Sequence, residues 1–119
     1  MPKYVDGFAL PVPKKNLKTY KKMASTAAKV WMEHGALQFC ECVGHDLTPG
    51  FGMPFTKQLK SKKGETVMFS FIIYKSRAHR DAVNKKAMKD PRLADCMLKT
   101  MPFDIKRMCV GGFEMLVEG

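Results

Sequence analysis

The sequence predicts an α+β sandwich, in which a four-stranded antiparallel sheet carries two helices on one of its faces. Four segments have strand-like patterns, one of them apolar on both faces, and two segments have helical spacing, in the order strand, helix, strand, strand, helix, strand. This βαββαβ order is the ferredoxin-like arrangement. The chain has 119 residues, of which 45% are hydrophobic, so we expect one domain over residues 1–119.

The first strand is predicted over residues 4–12, where Tyr4, Phe8 and Leu10 share one side of an extended segment and Pro11 and Pro13 end it. A helix follows, and Gly35 stands where its C-terminal cap is expected. Its apolar stripe consists of Leu17, Tyr20, Ala24, Ala27, Ala28 and Trp31. These two elements form the first strand and helix of the predicted order.

A second strand is predicted over residues 37–44 from the alternation of apolar and polar side chains. The stretch from Asp46 to Met53 contains glycine and proline and is predicted to be a loop. We expect the chain to continue as an irregular extended segment through Phe55 and Leu59. It then reaches a basic turn formed by Lys60, Lys62, Lys63 and Gly64.

The third strand, over residues 66–74, is apolar on both faces except at Ser70, which places it in the middle of the sheet. Ser76 is the predicted N-cap of the second helix, and Pro91 interrupts that helix before a short extension from Leu93 to Leu98. The last strand is predicted over residues 107–117. Its Gly111–Gly112 pair indicates either a bulge or a close backbone approach.

Two helices cover one face of such a sheet, yet the third strand and part of the last strand are apolar on the other face as well. An exposed apolar sheet face is unfavourable in a monomer, and a second copy of the chain is the simplest cover. The sequence therefore predicts a homodimer packed sheet to sheet.

The composition also indicates the cellular compartment in which we expect the protein. The apolar stretches are too short to cross a bilayer and the first residues lack a signal-peptide core, so we expect a cytoplasmic protein without a membrane partner. The four cysteines are then expected to be thiols. They are Cys40, Cys42, Cys96 and Cys109.

Several segments resemble the bacterial YbaA-like family, a domain of unknown function, and the match covers essentially the whole chain. They are Tyr4-Val5-Asp6-Gly7-Phe8, Val12-Pro13, Gly35-Ala36, Ala78-His79-Arg80-Asp81, Asp90-Pro91-Arg92 and the stretch from Met101-Pro102-Phe103-Asp104 to Gly111-Gly112-Phe113. The resemblance implies the dimeric α/β-barrel superfamily, whose ferredoxin-like subunits pair through their sheets. It implies no established activity, substrate or cofactor.

Two carboxylates share strand faces with apolar side chains and are candidate general bases, because burial raises the pKa of a carboxyl group. Asp6 lies on the face of Tyr4 and Phe8, and Glu41 lies on the face of its neighbours in the second strand. The alternative is a structural ion pair. The usual strand order makes the first and last strands neighbours, which brings Arg107 within reach of Asp6.

His79 begins the second helix and is the third catalytic candidate, since a histidine can exchange protons near neutral pH. Arg77 and Arg80 beside it suit an anionic ligand at a helix N-terminus, unless this is simply a solvated helix face. No metal site is predicted, because the histidines lack an i, i+4 partner and the cysteines lack a paired CxxC motif.

Aromatic side chains are predicted to line a pocket between sheet and helices or, alternatively, to form plain core. They are Trp31, Phe39, Phe69, Phe71, Phe103 and Phe113. The segment from Met101 to Asp104 is predicted to close over the pocket, with Asp104 and Arg107 as polar anchors for a ligand, unless Asp104 only caps a turn.

Two classes of function remain open, besides an interaction protein without a ligand. The first is binding of, or action on, a small and possibly anionic organic molecule in that pocket. The second is nucleic-acid binding, since the formal net charge is +10. The third strand lacks the Lys/Arg-Gly-aromatic motif of RNA-recognition folds, so this binding is expected to be weak and sequence-blind.

Overall fold

The computed structural model describes residues 1–97 and 101–119 of the chain. The strands are β1 (Tyr4–Pro13), β2 (Gln38–Val43), β3 (Glu65–Tyr74) and β4 (Cys109–Glu114). The helices are α1 (Leu17–Glu33), α2 (Phe55–Gln58), α3 (Arg77–Ala87) and α4 (Pro91–Met97). The strands, α1 and α3 follow the predicted order. Leu98, the predicted end of the second-helix extension, lies outside the described residues.

The four strands form one antiparallel sheet in the order β2-β3-β1-β4, which confirms the ferredoxin-like arrangement. The doubly apolar β3 occupies a central position, as its hydrophobic pattern predicts, and β1 occupies the other central position. The register pairs Asp6 with Ile72 on β3 and with Gly112 on β4. This register determines which polar side chains of neighbouring strands lie next to each other.

The hydrophobic core lies between the sheet and the helices. One cluster contains Tyr4, Ile72, Tyr74 and Val83, and a second contains Leu10, Val12, Tyr20 and Met68. Even-numbered residues of β1 and β3 therefore face the helices, because side chains alternate along a strand. None of the helices in the described part of the chain is both long enough and apolar enough to span a membrane.

The other face of the sheet is open and apolar. Phe69 is 47% exposed and Phe113 is 60% exposed, and the half-buried Phe71 lies on the same face. The prediction that aromatic side chains line a pocket beside the helices is therefore wrong for these three residues. Odd-numbered positions of β3 point away from the helices, and Phe113 faces the same way on β4.

Three local details differ from, or complete, the predictions. Residues 55–58 form the short helix α2 instead of an extended segment. The last strand begins at Cys109, because Ile105–Arg107 form a 3₁₀ turn whose N-cap is Asp104. Gly112 marks a close approach, since a Cβ atom there would lie 2.8 Å from Cε2 of Tyr4.

Candidate functional site

A cleft separates α1 from the sheet because the helix presents small side chains to it. Ala24, Ala27 and Ala28 lie between the large rings of Tyr20 and Trp31 along the helix and are half-buried. Methyl groups are short and fill little of the space between the two rings, so part of that space stays open. The alanines at helical spacing thus produce a cavity where larger residues would produce core.

Two adjoining cavities occupy this cleft, with volumes of about 470 Å³ and about 270 Å³. Both are lined by Tyr20, Ala24, Phe39 and Glu41. Volumes of roughly 300–1,000 Å³ are usual for small-molecule sites. We call this space the Glu41 cleft.

Glu41 is the charged group that both cavities share. The hydroxyl of Tyr20 donates to Oε1 of Glu41 over 2.8 Å, and the hydroxyl of Ser70 donates to the same oxygen. Ser70 is directly opposite Glu41 in the pairing of β2 with β3. Two hydroxyl groups therefore hold one carboxylate oxygen in a wall that is otherwise mainly apolar.

Tyr20 remains a donor under ordinary conditions. Its burial, together with the charge of the Glu41 carboxylate and the hydrogen bond to it, raises the pKa of Tyr20 above the ordinary value for a phenol. The protonated phenol fixes the carboxylate in place. The Tyr20 ring in turn packs edge-on against Phe103, with 5.7 Å between the ring centroids.

Trp31 and Phe103, two of the residues predicted to bind a ligand, line the smaller cavity. Trp31 packs against Phe39 with 6.2 Å between ring centroids. Its indole Nε1 donates to Oδ1 of Asn84 over 2.9 Å. The aromatic rings in the wall of the cleft are thus held in fixed orientations by their packing and hydrogen-bond contacts.

Asp6 does not pair with Arg107, and this part of the sequence prediction is wrong. Asp6 is opposite Gly112 on β4, whereas Arg107 precedes the strand and lies beyond the Ala9–Cys109 pair. Instead, Nη1 of Arg80 on α3 donates to Oδ1 of Asp6 over 2.8 Å. The predicted anion-binding arginine is therefore used in a largely buried ion pair.

Asp104 and Arg107, the other two predicted ligand anchors, lie apart from the Glu41 cleft. Nη1 and Nη2 of Arg107 each donate to Glu65 over 2.7 Å, and Nε donates to Asp104 over 3.0 Å. Asp104 also accepts from the backbone N–H of Lys106. The alternative prediction, that Asp104 caps a turn, agrees with this geometry.

His79, the remaining catalytic candidate, lies at the start of α3 outside the cleft. Its Nδ1 accepts from the backbone N–H of Lys75 over 2.9 Å, and its own backbone N–H donates to Oγ of Ser76. The hydrogen bond to Ser76 is the predicted N-cap. Both hydrogen bonds tie the histidine to the turn between β3 and α3.

Sequence reasoning missed Tyr20 and Ser70 as partners of Glu41. Ser70 carried a signal, because it is the one polar side chain in the apolar run of β3 and a buried hydroxyl needs a partner. Tyr20 had no separate signal, since a tyrosine on an apolar helix stripe is commonly core. Within residues 1–97 and 101–119, no three His, Cys, Asp or Glu side chains form a group that could hold a metal ion.

Comparison with known proteins identifies the family and supports the fold. A family model described as "Protein of unknown function (DUF1428)" matches residues 3–105. Uncharacterized protein YbaA of Escherichia coli strain K12 is 43% identical over 116 residues, with 98% of each chain covered, and YbaA of Shigella flexneri has the same identity and coverage. These matches confirm the resemblance found in the sequence.

Among solved structures, a dimeric ferredoxin-like protein from an uncultured marine organism has a TM-score of 0.62 and 13% identity to this chain, and the match covers 100% of both chains. At this level of identity the likeness concerns the fold, and it agrees with the strand order described above. The chain therefore belongs to the DUF1428 family of proteins of unknown function and has a ferredoxin-like fold.

Proposed function

We propose that this protein binds a small organic molecule in the Glu41 cleft, with an apolar body against the rings and one hydrogen-bond donor on the Glu41 carboxylate. The observation that carries the proposal is the carboxylate itself, in a cavity wall formed mainly by aliphatic and aromatic side chains. Few polar groups in a mainly apolar cavity are typical of small-molecule sites.

The hydrogen bonds of Glu41 favour a ligand with a donor. Both described donors to its carboxylate are hydroxyl groups, and both use Oε1. An ionised carboxylate accepts about four hydrogen bonds, so capacity remains for a ligand. A charge in an apolar wall is also stabilised more by an opposite charge than by hydroxyl dipoles.

The charge of Glu41 also narrows the ligand class that the sequence suggested. An anionic ligand on the Glu41 carboxylate would place two negative charges together, which is unfavourable. Lys21 lines the larger cavity, but the described lining of the smaller cavity contains no basic side chain, so a neutral alcohol or a cationic amine meets no charge repulsion there. We therefore expect this cleft to bind neutral or cationic molecules in preference to anions.

The test is a matched ligand series with one common apolar body: benzylamine, benzyl alcohol, toluene and benzoate. Binding is measured by ligand titration, followed through the indole N–H signal of Trp31, the only tryptophan of the chain. Benzylamine is expected to bind most tightly and benzoate most weakly. Equal affinities across the series would contradict the assigned role of the carboxylate.

The variant for this test is Glu41→Gln, which keeps an oxygen for the hydroxyls of Tyr20 and Ser70 and removes the charge. The affinity for benzylamine should fall at least tenfold, while the affinity for toluene should change little. The matched control is Glu114→Gln on the exposed edge of β4, which should leave all four affinities unchanged.

We also propose that a second copy of the chain covers the open face of the sheet. A concavity of about 520 Å³ on this face is lined by Val5, Phe69, Phe71 and Phe113 among other residues, and the described lining residues carry no charge. Phe55 extends the same apolar surface, with 6.1 Å between its ring centroid and that of Phe69. A copy of the same face would bury both surfaces at once.

An uncharged, apolar face also favours a second copy over a nucleic acid. Single-stranded nucleic acids bind where aromatic rings are combined with basic groups that follow the phosphates. The lysines are concentrated elsewhere, in residues 14–22 at the start of α1 and in residues 57–63 before β3. The backbone N–H of Lys14 donates to the carbonyl of Gly64, which brings the two basic segments together at one end of the sheet.

A further inference from the structure

A further cavity, outside the Glu41 cleft, lies on the helix face of the sheet beside β4 and has a volume of about 430 Å³. Its polar lining consists of Asp6, Arg80 and Asn84. Phe8, Trp31 and Ile72 line both this cavity and the smaller cavity of the Glu41 cleft, so they form the wall between the two. We call the cavity beside β4 the Asn84 cavity.

The orientation of the Asn84 amide is fixed by two donors. Oδ1 of Asn84 accepts from the indole Nε1 of Trp31 over 2.9 Å and from the hydroxyl of Tyr74 over 3.1 Å. Both donors need the amide oxygen Oδ1 as their acceptor, so Oδ1 faces Trp31 and Tyr74 and the amide nitrogen Nδ2 lies on the other side of the amide group. Its two N–H groups are directed away from Trp31 and Tyr74.

The ion pair between Arg80 and Asp6 occupies only part of the hydrogen-bonding capacity of the two side chains. Nη1 of Arg80 donates to Oδ1 of Asp6, and Nε donates to Asp81 over 2.8 Å. The guanidinium lies 4.8 Å from the ring centroid of Tyr4, which fixes its plane. Nη2 of Arg80 has no hydrogen-bond partner among the described residues, and the hydroxyl of Tyr74 is a further neighbour of the Asp6 carboxylate. An ionised carboxylate accepts about four hydrogen bonds, so Asp6 retains capacity for a ligand.

These spare groups face accessible space. Within residues 1–97 and 101–119, every side-chain nitrogen or oxygen that is closed off from solvent has a hydrogen-bond partner. The unpartnered amide nitrogen of Asn84 and Nη2 of Arg80 are therefore not closed off from solvent, and Asp6, Arg80 and Asn84 all line the same cavity. The cavity thus offers two donor groups and one charged acceptor.

We propose that the Asn84 cavity binds a small zwitterion, an ammonium and a carboxylate on one short skeleton, as in the head of an α-amino acid. The ammonium donates to Oδ2 of Asp6, and the carboxylate accepts from Nη2 of Arg80 and the amide of Asn84. Charges then alternate around the site, so neither ligand group meets an unpaired like charge. Trp31 and Met88 provide an apolar wall for the ligand's side chain.

The glycine pair of β4 lines the Asn84 cavity. The space that a side chain on Gly112 would fill is occupied by the ring of Tyr4, and the space beside Gly111 is occupied by the ring of Phe113. The polar contacts of a ligand in this cavity therefore come from Asp6, Arg80 and Asn84. An anion without an ammonium group would leave the Asp6 carboxylate as a repulsive neighbour.

The test is a titration of the wild-type protein with each of the twenty common amino acids, followed through the indole N–H signal of Trp31. At least one amino acid should produce a saturable shift at millimolar concentration or below. Its N-acetyl and carboxamide derivatives, which lack the ammonium or the carboxylate charge, should bind at least tenfold more weakly. No binding by any of the twenty, or equal binding of a derivative, would overturn the proposal.

Two variants separate this site from the Glu41 cleft. Asn84→Asp keeps both acceptor functions toward Trp31 and Tyr74 but removes the amide donors, so it should weaken amino-acid binding at least tenfold. Glu41→Gln should leave that binding within about threefold of wild type. Unchanged binding in Asn84→Asp would contradict the site. The comparison of derivatives uses wild-type protein and stays decisive if this variant does not fold.

Discussion

Arg107 and Glu65 form a two-bond ion pair at the beginning of β3. Each guanidinium nitrogen, Nη1 and Nη2, lies 2.7 Å from a carboxylate oxygen, and both side chains are largely buried. Arg107 also donates to the backbone carbonyl of Lys60. A single side chain therefore ties the turn before β4 to the turn before β3.

This pair makes stability depend on pH. The hydrogen bonds from Arg107, aided by the N–H of Lys62 and by nearby positive charge, lower the pKa of Glu65 to about 2, although burial opposes them. A carboxyl group with a lowered folded-state pKa stabilises the protein above its ordinary pKa of about 4.3 and loses that contribution as pH falls toward 2. The stabilising effect of Glu65 is therefore complete above about pH 5 and declines between about pH 5 and pH 2.

We predict that Glu65→Gln lowers the free energy of unfolding by roughly 1–3 kcal/mol at pH 7, since it removes a charged hydrogen-bond acceptor. The difference from wild type should shrink steadily between pH 5 and pH 2. Urea unfolding of both proteins over this range measures it. A difference that stays constant down to pH 2 would contradict the assigned pairing.

At the scale of elements, local patterns were sufficient for most of the fold. Period-two and helical spacings, Ser76 as N-cap and Gly35 after α1 each act within a few residues, so the sequence predicted them. The Asp6–Arg80 pair depends on strand register and on how α3 lies against β1, which no local spacing encodes. The Glu41 cleft was predicted in part, because Glu41, Trp31 and Phe103 were identified but the hydroxyls of Tyr20 and Ser70 were not.

The N-cap of α3 allows a direct test at this scale. Ser76 accepts the backbone N–H of His79 over 3.1 Å, which satisfies one of the free donors of the first turn. Ser76→Ala should lower the free energy of unfolding by about 1 kcal/mol, and Ser76→Asp should retain most of it. Denaturant titration measures both.

The control is Ser25→Ala in the interior of α1, where the serine hydroxyl donates to the carbonyl of Lys21 and caps nothing. Alanine is the better helix former there, so stability should be unchanged or slightly higher. An equal loss in both alanine variants would show that Ser76 has no special role as a cap.

At the scale of the whole molecule, the two faces of the sheet have different tasks in the proposed scheme. The helix face contains the Glu41 cleft and the Asn84 cavity, and the open face contains the exposed phenylalanines. Pairing through the open face would cover apolar surface on the side of the sheet opposite the Glu41 cleft. Ligand binding and dimer formation can then be altered separately.

We predict that the wild-type protein sediments at micromolar concentration with twice its monomer mass of 13.5 kDa. Phe69→Lys places a charge on the open face and should yield a folded monomer. Met32→Lys changes a similarly exposed apolar residue on α1 and should remain dimeric. A wild-type monomer, or identical masses for Phe69→Lys and wild type, would contradict pairing through this face.

The central claim is that the Glu41 carboxylate accepts a hydrogen bond from the donor group of a bound ligand. A crystal structure of the protein with benzylamine tests this claim most directly. The amine nitrogen is predicted to lie about 2.7–2.9 Å from a carboxylate oxygen of Glu41, with the ring between Trp31 and Phe103. Benzylamine bound only outside the Glu41 cleft, or an empty cleft at saturating concentration, would contradict the claim.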